Sequence, residues 1–367
     1  MSVVLKLKKV TVVFLAIIGT VTVILCSDTL KQGVKTALSL CSGSVIPSLF
    51  LFTALALFIA KSYVSETLGK VFSILFRPIL GLSAKESTAF LLSCLAGYPV
   101  GAKLLDSLYR DGKITRPKAL KMLTFSVNAG PAFIVTAVGG VILKSTSDGL
   151  RLTLIHFTAT LILGILVNIL PDFKPKNQPT QHKKPVTKNS DEPNLIDLFV
   201  LSVAEAGQTM LNICIFIVFF GAVGYFLATS PIGHAEKLSA VIEVTSGLFN
   251  FTRTELPEIS FFLGFGGISV IFQVLSTAKS IRPPIWLIVL SRFAHGIISA
   301  LLTVLSENLW PRSLSTGFYN VQPQGPIFYQ TPLAGLSLIF LFVVLVAFCR
   351  KTKSSSPNHN LLSINPR

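Results

Sequence analysis

Residues 94–103 read CLAGYPVGAK, and they lie inside a long apolar run. Two glycines, a proline and a lysine are all awkward in a lipid-facing helix. Pro99 has no backbone N–H and frees a carbonyl one turn earlier. Gly97 and Gly101 weaken the helix and permit close backbone approach. The stretch reads as a helix break at membrane depth, where freed backbone groups must be buried in protein or line a cavity.

The rest of the chain supplies the membrane. Of its 367 residues, 51% are hydrophobic and 13% charged, against about 25% charged in a soluble domain. The mean hydropathy is +0.69. The fold class is therefore an all-α polytopic membrane protein. The formal net charge is +16, but most Lys and Arg sit in short segments between apolar runs, which is the positive-inside pattern. No folded basic face is visible, so nucleic acid is not an expected partner. Cys26, Cys41, Cys94, Cys214 and Cys349 form no CxxC. They read as small buried apolar residues rather than disulfides or a metal site.

Lys6, Lys8 and Lys9 precede an apolar run from Val10 to Cys26 with no clear small-x-small cleavage site. It reads as an uncleaved first span with a cytoplasmic N-terminus. Apolar blocks follow at 45–60, 64–82, 87–109, 122–143 and 150–170. Residues 172–194 are lysine- and proline-rich with almost nothing apolar, and read as a basic cytoplasmic linker. Blocks at 210–229, 236–251, 258–276, 284–305 and 332–349 come next, then a polar tail at 350–367. The expected organisation is an N-terminal span and amphipathic segment (1–44), one half at 45–171, the linker, a second half at 195–349 and the tail.

The halves have similar block patterns. FLLSCLAGYPVGAKLLDSLYRDGKI in the first matches FFLGFGGISVIFQVLSTAKSI in the second: each is a glycine-interrupted apolar segment followed by a basic loop and Pro. Five blocks per half would insert the halves with opposite orientation, as inverted repeats of secondary transporters do. About 8–11 transmembrane or re-entrant helices are expected. Eleven full spans would put the C-terminus outside, yet Arg350, Lys351 and Lys353 argue for inside, so block 236–251 is the best candidate for a re-entrant segment.

The candidate solute-binding residues are those that interrupt these blocks. Gly97, Tyr98, Pro99 and Gly101 make the first break, and Lys103 and Asp106 follow on one helix face. The competing reading makes Gly97 and Gly101 a small-residue packing face, with Lys103 snorkelling to the cytoplasm. Asn128 and Pro131 open a second interrupted helix, whose free N–H groups would face a ligand, or an ordinary loop at the surface. Glu243 and Thr245 lie in a mostly apolar stretch, as a binding carboxylate site or an interfacial turn. Gly266 and Gly267 imply a break or very close helix contact. Gln273 would contact a polar ligand or form an interhelical hydrogen bond. Arg292 and His295, three apart, are functional or interfacial. There is no Walker A, HExxH, GxSxG or Rossmann glycine pattern, so no enzyme activity, cofactor or metal is expected.

The stretches IPSLFLF (46–52), AGYPVGAK (96–103), NAGPAFI (128–134), EVTSG (243–247) and FGGISVIFQ (265–273) occur in the order of a known family. The chain resembles the sporulation integral membrane protein YlbJ family, within the nucleoside-recognition or Gate domain group. Leu51 stands where that family favours a second proline. The resemblance implies a bacterial inner-membrane protein of endospore formers, required for spore cortex assembly. The wider group includes domains of nucleoside and ferrous iron transporters, which implies movement or sensing of a small polar, nucleoside-like solute. The alternative is a membrane assembly or scaffold protein for the cortex machinery. Expected partners are the lipid bilayer, a small polar solute with a coupling ion, and a second copy of the chain or other sporulation membrane proteins.

The linker yields a direct test of topology. In a background without the native cysteines, Asn189→Cys is expected to resist an external membrane-impermeant thiol reagent in intact cells and to react once the cells are opened. Reaction in intact cells would reverse the assignment.

Overall fold

The computed structural model describes residues 2–170, 194–231 and 233–309; the linker up to residue 193, the block 332–349 and the tail lie outside them. The described residues are helical, with no strand. Five runs are long and apolar enough to cross a membrane: Ser27–Lys61, Thr146–Ile169, Leu195–Ala228, Arg253–Thr277 and Ile285–Leu309. The first joins α2 (Ser27–Leu40) to α3 (Ile46–Lys61) through a π-helical turn at Cys41–Val45, so the helix passes through position 45 without a boundary. It follows α1 (Ser2–Leu25), whose apolar part is the shorter stretch Val10–Leu25.

Blocks 64–82, 87–109, 122–143 and 236–251 do not form full unbroken spans; the last three carry the interruptions that the sequence marks, and the bend after 64–82 is added to them. Block 64–82 is α4 (Val64–Leu80). It ends at Gly81, φ 60°, and meets α5 (Ala84–Ala96) at 89°. Ser83 and Glu86 form a reciprocal capping box that starts α5. Block 87–109 turns at Gly97–Pro99 into α6 (Val100–Arg110). Block 122–143 is α7 (Arg116–Phe125), an irregular stretch at 126–130, then a helix from Pro131 that becomes π-helical over Phe133–Ile142. Block 236–251 is α10 (Ala235–Ile242), α11 (Val244–Gly247) and a 3₁₀ turn at Leu248–Asn250.

Polar contacts show which ends lie together. Lys118 Nζ donates to Gly81 O (2.9 Å) and lies 3.9 Å from Glu86; Arg116 Nε donates to Ile281 O (2.9 Å). Asp106 accepts from Ser280 N (2.7 Å) and Ile281 N (3.0 Å), and Lys121 Nζ donates to Leu170 O (2.9 Å). So α5 begins and α6 finishes at the same, basic end of the bundle. They form a re-entrant hairpin with its tip at Gly97–Pro99. At the other end, Arg253 pairs with Asp148 at 2.7 Å, and Lys237 with Glu255. This second pair joins the start of α10 to the segment just after Asn250, so 235–250 is a re-entrant hairpin from the opposite end.

The remaining helices are α8 (Thr146–Ile169), α9 (Leu195–Ala228), α12 (Leu256–Phe265), α13 (Gly267–Thr277) and α14 (Ile285–Leu309). One order of elements therefore occurs twice in opposite senses. The long helix α2–α3, the hairpin α5–α6, the broken span 116–142 and α8 are followed by α9, the hairpin 235–250, the broken span α12–α13 and α14. This pairing differs from the sequence match. Gly97 sits at a hairpin tip, whereas Gly266 sits in a broken span whose counterpart is 126–130. A glycine in an apolar run serves a reversal and a kink equally well, so the pattern alone does not distinguish them.

Glycines set the closest contacts. A Cβ on Gly101 would lie 2.3 Å from Ser126 O and 2.9 Å from Ser93 Cβ; one on Gly43 would meet nothing within 4 Å. Gly101→Ala is expected to cost about 1–3 kcal/mol through overpacking and to lower the melting temperature in detergent. Gly43→Ala should leave it unchanged. Equal melting of the two variants would contradict the packed hairpin.

Candidate functional site

Each hairpin tip rests on the broken span of its own half. Gly97 (φ 79°) ends α5, and a Cβ there would lie 2.7 Å from Gly130 N. Only glycine adopts this φ without strain and admits the neighbouring backbone. Tyr98 N donates to Asn128 O at 2.6 Å, and the Tyr98–Pro99 peptide is cis. In the other half, Gly267 (φ 73°) opens α13, and a Cβ on it would lie 3.1–3.3 Å from the carbonyls of Ala240, Val241 and Ile242. Gly266 (φ 81°) is the αL residue that ends α12.

Arg292, on α14, joins the halves. Its guanidinium donates to Thr124 O (2.7 Å) and to Val127 O, and its Nη1 lies 3.3 Å from His295 Nδ1. Thr124 O belongs to the last turn of α7 and Val127 O to the irregular stretch just beyond it, so a cation is electrostatically favoured there. Arg292 is 1% exposed. Among the described residues no carboxylate lies within ion-pair distance of it.

Beyond His295 the polar path continues to His156 on α8. The two imidazoles meet edge to face, 5.5 Å between centroids. His156 Nε2 is 3.5 Å from Ser260 Oγ, and its Nδ1 is 3.4 Å from Ser299 Oγ. Both histidines are buried, and each stands ten positions after the first residue of its helix. Tyr98 Oη, Ser126 Oγ, Asn128 Oδ1, Arg292 Nε and His295 Nε2 are buried and have no hydrogen-bond partner. Buried polar groups in native proteins are nearly always satisfied, so these atoms are open to a further polar partner.

The expected site residues divide between this cluster and other places. Gly97, Tyr98, Pro99, Gly101 and Asn128 belong to it, and Pro131 begins the helix beyond it. Glu243 is 1% exposed and caps α11, accepting from Thr245 N (3.0 Å), Ser246 N (2.6 Å) and Ser246 Oγ (2.8 Å). Thr245 is buried beside it. Gly266 and Gly267 form the second break. Gln273 is buried, and its Nε2 donates to Ser269 Oγ (3.2 Å) on its own helix, not across helices as one reading had it. Lys103 is held away from the cluster. It donates to Thr209 Oγ1 (2.7 Å) and pairs with Glu205 at 3.1 Å; Glu205 also pairs with Lys61. Asp106 turns instead to the 280–281 loop, so the two charges share no partner. Sequence reasoning left His156 out altogether. Its signal was a histidine midway along an apolar block, placed as His295 is placed in α14.

Removing Arg292 should be costly because Thr124 O and Val127 O lose their donors. Arg292→Leu is expected to lower stability by about 2–6 kcal/mol, at about 1–3 kcal/mol for each of two orphaned buried groups. Gln273→Leu removes one hydrogen bond within a helix, worth about 0.6 kcal/mol in membrane proteins. Parallel melting curves check the order; a larger drop for Gln273→Leu would refute it.

The chain is 24% identical over 362 aligned residues to the sporulation integral membrane protein YlbJ of Bacillus subtilis (strain 168), covering 88% of this chain and 87% of that one. It is 27% identical over 145 residues to an uncharacterized protein of Methanocaldococcus jannaschii, covering 39% of this chain and 46% of that protein. No family profile matches the chain, and no solved structure matches it. Similarity to the Bacillus sporulation protein runs across nearly the whole of both chains, and the described residues hold five helices long and apolar enough to cross a membrane.

Proposed function

We propose that this membrane protein acts in endospore formation, and that it moves or senses a small polar, nucleoside-like solute needed for the spore cortex. The observation that carries the solute reading is the Arg292 cluster: a buried guanidinium with no carboxylate partner among the described residues, beside unpartnered atoms of Tyr98, Asn128 and His295. Broken helices at matching places in two opposed halves are the arrangement in which transporters hold solutes near the bilayer midplane. A solute with carbonyl or other acceptor groups suits the guanidinium, and one with a donor suits Asn128 Oδ1. The basic end, with Arg116, Lys118 and Lys121, faces the cytoplasm under the positive-inside rule. A crossing by α1 then places the N-terminus on that side too.

One observation favours the second reading, a non-transporting assembly protein. Gly97 and Gly101 are filled by neighbouring backbone, and such close contacts suit a packing motif as well as a gate.

Two measurements separate these readings. Deleting the gene in its own host is expected to lower the yield of heat-resistant spores, restored by the wild-type copy; unchanged spores would end the sporulation reading. Purified protein in proteoliposomes is expected to take up labelled uridine. Arg292→Lys, which keeps the charge but loses the planar fork, should lose that uptake while still folding. A spore defect without uptake or thermal stabilisation by any of a panel of nucleosides would leave the assembly reading standing.

A further inference from the structure

One cavity, of about 770 Å³, lies away from the Arg292 cluster and runs between α2 with its π turn, the last third of α9, and the hairpin 235–250. That volume is within the range of small-molecule sites. Gln32, Lys35, Thr36 and Ser39 line one side at spacings of three, four and seven, which is a single face of a helix. Ser44, within the π turn, extends this face about 18 Å along the axis from Gln32.

The facing helix is stripped of bulk. Gly221, Gly224, Tyr225 and Ala228 follow the same spacing on α9. A Cβ on Gly33 would lie 2.9 Å from Ala222 Cα, and one on Gly221 3.1 Å from Ala37 Cβ. The two helices thus touch along a small-residue seam and leave the cavity beside it. Ser239, Ser246 and Asn250 close the third side. Ser246 is the residue whose hydroxyl bonds buried Glu243, so the cavity reaches the tip of the second hairpin. Among the described residues no acidic side chain lines it, and the one lining cation, Lys35, is solvent-exposed.

The surroundings make this composition informative. Elsewhere the same helices present Leu51, Phe52, Leu211, Ile215 and Phe219 outward, as lipid requires. Thr36, Thr229, Ser246 and Asn250 already bond within the protein, but the side chains of Gln32, Ser39 and Ser44 have no partner among the described residues; in hydrocarbon they would be unsatisfied, so this face marks contact with water. The cavity also lies at the end of the α2–α9 pair remote from Lys61 and Glu205, because the two helices run antiparallel. That is the end opposite the basic loops.

We propose that this cavity is a water-filled binding site for a small uncharged solute rich in hydroxyl or amide groups, opening on the face opposite the basic end. Serine, threonine, glutamine and asparagine supply both donors and acceptors, and Tyr225 supplies a flat surface for a ring. The site rests on the reading that the protein handles a solute, and it gives that solute a first stop ahead of the Arg292 cluster.

The test uses single cysteines in a background with the native cysteines replaced, in sealed membranes presenting the face opposite the basic loops. Ser39→Cys and Ser44→Cys report the cavity; Leu51→Cys and Ile215→Cys report lipid. Thiol modification requires the thiolate, which hydrocarbon suppresses, so a charged methanethiosulfonate reagent is expected to react roughly tenfold or more faster at the cavity positions. Ribose or uridine at millimolar concentration should slow the Ser44→Cys reaction several-fold, and sodium citrate should not. Equal rates at cavity and lipid positions would show that the space is not aqueous and overturn the proposal. Fast labelling without protection by either probe, or with protection by citrate alone, would overturn the binding site or its preference for uncharged solutes. None of these outcomes bears on spore yield, so this site and the sporulation reading fail separately.

Discussion

The guanidinium of Arg292 on the open carbonyls of Thr124 and Val127 is the contact on which the architecture turns. A helix that stops inside a membrane leaves its last carbonyls without donors, and hydrocarbon offers no water to replace them. α7 stops there, and a side chain from α14 in the other half supplies the donors. The break in one half is therefore stabilised by an unbroken helix of the other. Burying the cation costs desolvation energy, offset by its charge-assisted hydrogen bonds to the carbonyls.

The same constraint is met differently at the other breaks. At Glu243 a carboxylate caps a four-residue helix and takes up its free N–H groups. At Gly97 the neighbouring backbone closes in, with Tyr98 N bonded to Asn128 O. At Gly267 three carbonyls of the 235–250 hairpin close on the Cα. A cation at carbonyls, an anion at N–H groups and glycine at backbone contacts are three local solutions to one requirement. All three sit where a hairpin tip meets a broken span.

The charged contacts at the two ends divide in character. Near Arg116 the cations donate mainly to backbone carbonyls of other loops, which ties the loops together, while Lys118 also approaches Glu86. At the far end Arg253 and Lys237 meet carboxylates. Orientation in the bilayer and attachment of the loops thus draw on the same residues, and Asp106 completes the basic end by holding Ser280 and Ile281.

The membrane class, the helical fold and the positions of the breaks were legible from composition and from Gly97, Pro99, Pro131, Gly266 and Gly267, because these residues act on the backbone they belong to. The failure of 236–251 to span was legible too, since a short, polar-interrupted block cannot cover the bilayer. Whether a break kinks or reverses the chain was decided by tertiary structure, because it depends on which backbone lies against the glycine: Gly130 for Gly97, the 240–242 carbonyls for Gly267. Side-chain destinations were decided there as well. Lys103 and Asp106 share a helix face, yet Glu205 draws one and the 280–281 loop the other. His156 gained its meaning only when α8 and α14 brought it to His295, since a histidine's partners lie across the bundle, at distances along the chain that no local pattern records.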